Sequence, residues 1–254
     1  MNEGFSTVVA SGQGNAAQLL RAVAEQLKVP LTTIARETEL AGRAGGVAFP
    51  DTDTATSLAT QHTLASIAVQ SDIALRLVDG YLLGLNIAEG QQALDFEPVS
   101  LAALMTDTAQ ELHALARQHE VQLEVQLSGK FAPVMAHAQG VRMALLSLGY
   151  GLVEASGACG NTRLSLAVHR TSRGVTAGLY GAFEALGAAE WRRAITQIGL
   201  SQRPMPGLAA TTGAGLFVAE TLFAAMSTGL RVGRFRKQSG LAATFQASQQ
   251  LRLV

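Results

Sequence analysis

Glu25-Gln26-Leu27-Lys28-Val29-Pro30-Leu31 lies inside a longer apolar rhythm, and the reading of this stretch decides the fold. From Asn15 to Leu40 the residues Leu20, Val23, Leu27, Pro30 and Ile34 step by three and four, the spacing that lines up side chains on one helix face. Pro30 falls within that helix, where it removes a backbone donor and bends the preceding turn at a cost of about 3 kcal/mol. A kinked first helix is expected. Downstream, Gly42, Gly45, Gly46 and Pro50, followed by Asp51-Thr52-Asp53-Thr54, break the pattern, so residues 41–56 read as a connection. A second helix is expected from about Ser57 to Ala88, with Leu64, Ile67, Ser71, Ala74, Val78, Tyr81 and Leu85 as its seam. Two such helices leave a wide apolar seam that pairing with a second hairpin would bury, so a homodimeric four-helix bundle is expected.

Beyond Glu89-Gly90-Gln91-Gln92 the periodicity changes. Ser100 is placed to cap a helix running to about Gln118, and Val121, Leu123, Val125 and Leu127 then alternate with polar residues as in a half-buried strand. Leu164, Leu166 and Val168 repeat that alternation, and weaker strands are expected near 175–179, 230–235 and 241–247, with helices near 139–155 and 215–225. An α/β sandwich follows, with helices on one face of a mixed sheet. The expected fold class is therefore a helical hairpin forming a dimeric four-helix bundle, followed by an α/β sandwich. Its parts are a flexible N-terminus (1–14), a dimerisation hairpin (15–90) and an α/β domain (91–254).

The opening heptapeptide resembles the phosphoacceptor box of sensor histidine kinases, whose pattern is His-Glu-Leu-Arg/Lys-Thr-Pro-Leu. Leu27, Lys28, Pro30 and Leu31 match it, while Glu25 stands where the phosphorylated histidine belongs. The Leu77-Val78-Asp79-Gly80-Tyr81-Leu82-Leu83 stretch and the Phe96-Glu97-Pro98-Val99 linker also look like their counterparts in the family, and the resemblance runs in order from about Gln18 to the C-terminus. It implies that the second half resembles the ATP-binding domain shared by histidine kinases, gyrase and Hsp90. Arg142-Met143-Ala144-Leu145-Leu146-Ser147-Leu148-Gly149-Tyr150-Gly151-Leu152-Val153-Glu154 follows the family's N-box, Arg-x-x-Leu-x-Asn-Leu-x-x-Asn-Ala-x-Lys. Ser147 and Gly151 replace the two asparagines, and Glu154 replaces the lysine. In the family the second asparagine ligates magnesium; magnesium demands oxygen ligands, and Gly151 has no side-chain oxygen to give.

The family's Asp-x-Gly-x-Gly element, whose carboxylate anchors adenine, has its best counterpart in Ala177-Gly178-Leu179-Tyr180-Gly181-Ala182, which contains no acid. Losing a buried hydrogen-bond partner costs about 1–3 kcal/mol, so these losses together would move a micromolar ligand toward millimolar affinity. Thr212-Gly213-Ala214-Gly215-Leu216 does match most of the family's Gly-x-Gly-Leu phosphate motif. Gly213 and Gly215 read first as a tight turn needed for helix packing and second as a phosphate cradle. The segment 199–210, where a nucleotide lid is expected, is short, holds Pro204 and Pro206, and has Arg203 as its one cation.

Composition bounds the alternatives. With 48% hydrophobic residues among 254 the chain can build real cores, and a formal net charge of zero supplies no electrostatic footprint for nucleic acid or anionic lipid. One cysteine, Cys159, cannot form an intrachain disulfide, and no apolar run is long enough to span a bilayer, so a cytoplasmic protein is expected. His62, His113, His119, His137 and His169 lack ligand spacing, so no metal site is expected; His62 on a bundle helix is the one imidazole placed as in phosphotransfer proteins.

The resemblance implies no catalytic residue and no cofactor. The nucleophile, the nucleotide anchor and the metal ligand are each replaced, and Gln26 and Val29 stand where the family carries its phosphatase acid and its water-orienting residue. The expected function is that of an inactive histidine-kinase-like signalling protein, a pseudokinase, which binds a response-regulator receiver domain around Glu25, Lys28 and Thr32. Two alternatives stay open: a divergent ATP-binding phosphotransferase, and a receptor that uses the degenerate pocket for another small molecule.

Overall fold

The computed structural model describes residues 27, 30–40, 53–88, 91, 94–158, 160, 162–183, 187–189, 191 and 213–246, and for 53–62, 88, 213 and 214 the backbone only. Residues 30–40 form the described part of the first helix, α1, and Leu27 is helical just before it. Pro30 is buried, and Leu27 packs on the main core.

Helix α2 spans Asp53–Ala88, so it starts earlier than the composition of 51–54 suggests. Aspartate and threonine favour turns, but they serve equally well in the first turn of a helix, and here the helix wins. The observed buried face of α2 is Gln70, Ile73, Leu77, Gly80 and Gly84, joined by Leu83. The expected seam is displaced from it: Leu64 is exposed, and Ile67, Ser71, Ala74, Val78, Tyr81 and Leu85 are half-buried flanks. The reason is a neighbour that periodicity cannot reveal, because Ile73, Leu77 and Leu83 share one core with the α/β elements.

A short pair of strands, β1 (Glu97–Val99) and β3 (Val134–Ala136), joins antiparallel beside α3 (Leu101–Gln118). Neither was legible in the sequence. Ser100 caps α3 as expected, its hydroxyl accepting from the Ala103 amide at 3.3 Å. At the far end Glu120 adopts φ 57°, a left-handed turn that lets the Val121 amide donate to the Ala116 carbonyl and redirects the chain into β2 (Gln122–Ser128).

The main sheet has the order β2-β4-β5-β7-β6, where β4 is Arg163–Thr171, β5 Gly174–Gly181, β6 Arg231–Phe235 and β7 Gln238–Phe245. Only the β2–β4 pair is parallel. One row of apolar residues, Val125, Leu166, Leu179, Leu241 and Val232, crosses all five strands in register. Helices α3, α4 (Ala138–Ala158) and α5 (Gly213–Ala225) pack on that face and leave Val125, on the edge strand β2, exposed. Most of α4 is buried, from Val141 through Val153, which makes it the central helix of the layer. The opposite face holds a second small core of Ala167, Tyr180, Phe235 and Ala242, where the His169 ring lies 5.0 Å from Phe235 and 5.9 Å from Tyr180. The mixed sheet with helices on one face agrees with the alternation read in the sequence.

Candidate functional site

Of the three residues expected to dock a partner, Thr32 is described and lies exposed on α1; Glu25 and Lys28 fall outside the described residues, as do Gln26 and Val29. Leu31, beside Thr32, is 56% exposed. The side chain of His62, Cys159 and the expected lid at 199–210 also lie outside the described residues.

The positions expected to line a nucleotide pocket lie on two helices that pack against each other, Ser147 and Gly151 on α4 and Gly213 and Gly215 at the start of α5. His137 precedes α4, and its Nδ1 accepts from the Gly140 amide at 3.0 Å, which caps the helix and assigns the ring proton to Nε2. Along α4 the residues Met143, Ser147 and Gly151 follow each other at four-residue steps on one side. Ser147 is 2% exposed and Gly151 is buried. Above them lies α2: a Cβ placed on Gly80 would stand 3.6 Å from Met143 Cε, 3.8 Å from Ser147 Oγ and 3.8 Å from Val218 Cγ1 of α5. Gly80 thus lets the α2 backbone lie close over the groove between α4 and α5. Gly213 begins α5 and Gly215 is buried within its first turn. The stretch 177–182 is strand and strand end; Gly178 serves close strand approach, since a Cβ there would meet the Ala242 Cβ at 2.5 Å. A serine hydroxyl is the polar group that α4 offers the groove at 147, and the backbone alone is offered at 151. Among the described residues no group of three histidine, cysteine or acidic side chains gathers to hold a metal.

One site was not foreseen. Glu111 of α3, 17% exposed, accepts from Arg142 of α4 through Nε at 3.0 Å and Nη2 at 2.7 Å, and its other oxygen pairs with Arg76 of α2. Arg76 Nε in turn donates to Asp72 at 2.7 Å, one turn earlier on α2. Three helices meet at this carboxylate. Their partners lie more than thirty residues apart in sequence, so no local spacing could have flagged them. Tyr150 packs nearby; burial, more than the field of Arg76, Asp72 and Arg142, holds its phenol above the usual range and keeps it protonated.

Other titratable groups are shifted by burial. His119, at the C-cap of α3, and His169, on the far face of the sheet, are both lowered by desolvation, so their imidazoles are held neutral. Glu220 is raised by burial, opposed by its hydrogen bond from the Leu230 amide and by Arg231.

No protein-family profile and no curated protein matches this sequence. Solved structures do match. Histidine kinase AdeS of Acinetobacter baumannii shares 16% identity, covering 88% of this chain and 98% of its own, with a TM-score of 0.52. Histidine kinase ThkA, solved in complex with the response regulator protein TrrA, gives 12% identity over 91% of this chain and 61% of its own, with a TM-score of 0.51. Full-length ShkA in complex with AMPPNP gives 15% identity over 86% of this chain and 46% of its own, with a TM-score of 0.50. The fold is that of histidine kinase catalytic segments, a helical hairpin joined to an ATP-binding-type α/β domain. No described helix is long and apolar enough to cross a membrane.

Proposed function

We propose that this chain is a catalytically inactive, histidine-kinase-like signalling protein that acts by binding. The observation that carries this reading is the α4 face in a histidine kinase fold: it presents Ser147 and the bare backbone of Gly151 where nucleotide and magnesium ligands are needed, and α2 lies over it. Phosphoryl transfer depends on positioning and charge neutralisation around the phosphates. Without the metal ligand, the adenine acid or the histidine, whose place Glu25 takes, the chain lacks each of these in turn.

The partner we infer is a response-regulator receiver domain, bound on the hairpin (15–90) around Glu25, Lys28 and Thr32, with the α/β domain (91–254) as its scaffold. The ThkA complex with its response regulator supports this class of partner. We also infer a homodimer. Leu64, Ala68, Ser71, Leu75, Val78, Leu82 and Leu85 alternate steps of four and three along α2 and face away from the α/β domain, with Leu64 61%, Leu75 65% and Leu82 47% exposed. A strict seven-residue repeat of this kind suits a coiled-coil seam, and among the described residues no helix covers it.

The test is calorimetry with Mg-ATP alongside incubation with labelled ATP. No autophosphorylation and no binding below millimolar concentration are expected, and Glu25→His alone should not restore labelling. A micromolar constant would replace this reading with the divergent phosphotransferase. Affinity capture with receiver domains as defined bait then tests the partner: Lys28→Trp and Thr32→Trp should weaken capture while the dimer persists.

A further inference from the structure

The same helix that carries the outward leucine repeat also closes the α4–α5 groove, and its attachment is uneven. The apolar part of the contact is Ile73, Leu77 and Leu83, flanked by the half-buried Val69, Tyr81 and Ile87, while Gly80, at the crossing itself, contributes no side chain to bury. Toward α3 the attachment is polar: Gln70 donates to Gln118 at 3.1 Å and Gln118 to Ser66 at 3.5 Å. The ion pair between Arg76 and Glu111 is the charged element of this attachment, with side chains 27% and 17% exposed. Glu111 is held independently, because Arg142 grips it through two nitrogens from within the α/β layer. Arg76 is therefore the arm that travels with α2, and Asp72 pre-orients it.

We propose that α2 is a liftable cover over the α4–α5 groove and that the Arg76–Glu111 pair is its latch. Fastened, it keeps Ser147 out of solvent; lifted, it exposes that residue without disturbing the sheet, because Glu111 keeps Arg142 as a partner. Any molecule that binds the Ser147 floor must displace α2, and so must shift the leucine repeat on the opposite side of the same helix. The groove and the outward face are then two sites acting on one two-position element, which is the physical requirement for coupling between them. This inference rests on the fold and on the covered groove, and holds whether or not the chain binds nucleotide.

The experiment is thiol labelling with a maleimide in a Cys159→Ser background. Ser147→Cys places the probe under α2. Ser156→Cys, fully buried further along α4, is the control for global unfolding. Arg76→Gln should speed labelling at 147 about tenfold by favouring local opening, while 156 stays protected. Molar sodium chloride, which screens the pair without any substitution in the latch, should shift 147 in the same direction and serves if Arg76→Gln fails to fold. Labelling at 147 that ignores both changes overturns the latch. Equal acceleration at 147 and 156 overturns the cover, since the chain then opens as a whole. Because the readout needs no nucleotide, its failure is distinguishable from failure of the inactive-kinase reading.

Discussion

The two faces of α2 obey different rules. Inward, Ile73, Leu77, Gly80 and Gly84 are matched to the irregular surface of the α/β helices and mix large side chains with none at all. Outward, Leu64, Ala68, Ser71, Leu75, Val78, Leu82 and Leu85 keep a uniform seven-residue repeat with nothing described against it. A helix that packs once against an irregular surface needs shape, whereas a helix that pairs along its length needs period. The contrast suits an inner face that serves stability and an outer face that serves the association proposed above.

The largest expected effect separates those roles directly. Leu77 is 1% exposed in the main core, so Leu77→Ala should cost about 2–5 kcal/mol in denaturant unfolding. Leu75 and Leu82 are 65% and 47% exposed, so Leu75→Glu with Leu82→Glu should leave the folded signal intact and halve the mass in light scattering. If the outer pair unfolds the chain, or wild type already scatters as a monomer at micromolar concentration, the division of roles between the faces is wrong.

A smaller effect comes from pH, and it sharpens the comparison because neither shifted histidine belongs to α2. His119 and His169 are both lowered by burial, so protonation favours the unfolded chain; their contribution to stability is present above the ordinary imidazole value and is lost as pH falls below it. Glu220 carries the opposite sign. Its raised value means stability declines as pH rises from the ordinary carboxylate range through the raised one. The thermal unfolding midpoint should therefore fall on acidification below about pH 6.5, with His169→Phe flattening that limb. The dimer's mass should hold over the part of this range where the chain stays folded, since the outward repeat holds no titratable group; dissociation ahead of unfolding would place a titrating group in the interface.

These faces were unequally legible in the sequence. That α2 is a long helix with an apolar seam was readable because periodicity records what every turn shares, but the seam read there (Leu64, Ile67, Ser71, Ala74, Val78, Tyr81, Leu85) lies to one side of the outward leucine repeat; strands β2, β4 and β5 were readable from their alternation. β1 and β3 were not: three residues hold too little alternation to register, and Pro98 argues against a strand wherever the edge is unknown. The candidate pocket was half legible. Ser147 and Gly151 could be found by their order on one helix, but their cover could not, because a glycine at a helix crossing gives no hydrophobic signal. Glu111, Arg76 and Arg142 lie on three helices, and only the folded chain makes them neighbours.

The smallest expected effect falls on Gly80, where the inner face is decided atom by atom. A methyl group there would meet Met143, Ser147 and Val218 at 3.6–3.8 Å, which is ordinary van der Waals contact. Gly80→Ala should therefore be tolerated, and the helix preference for alanine over glycine should add up to about 1 kcal/mol of stability. Gly80→Leu adds three further carbons beyond the Cβ that have no such room, so it should either cost about 1–3 kcal/mol through overpacking or prise α2 from the groove. The second outcome would appear as faster labelling of Ser147→Cys with no loss of the global transition. Denaturant unfolding of both variants decides the matter: if alanine proves as costly as leucine, then the crossing demands glycine for closer backbone contact than these distances record, and the inner face is tighter than a liftable cover allows.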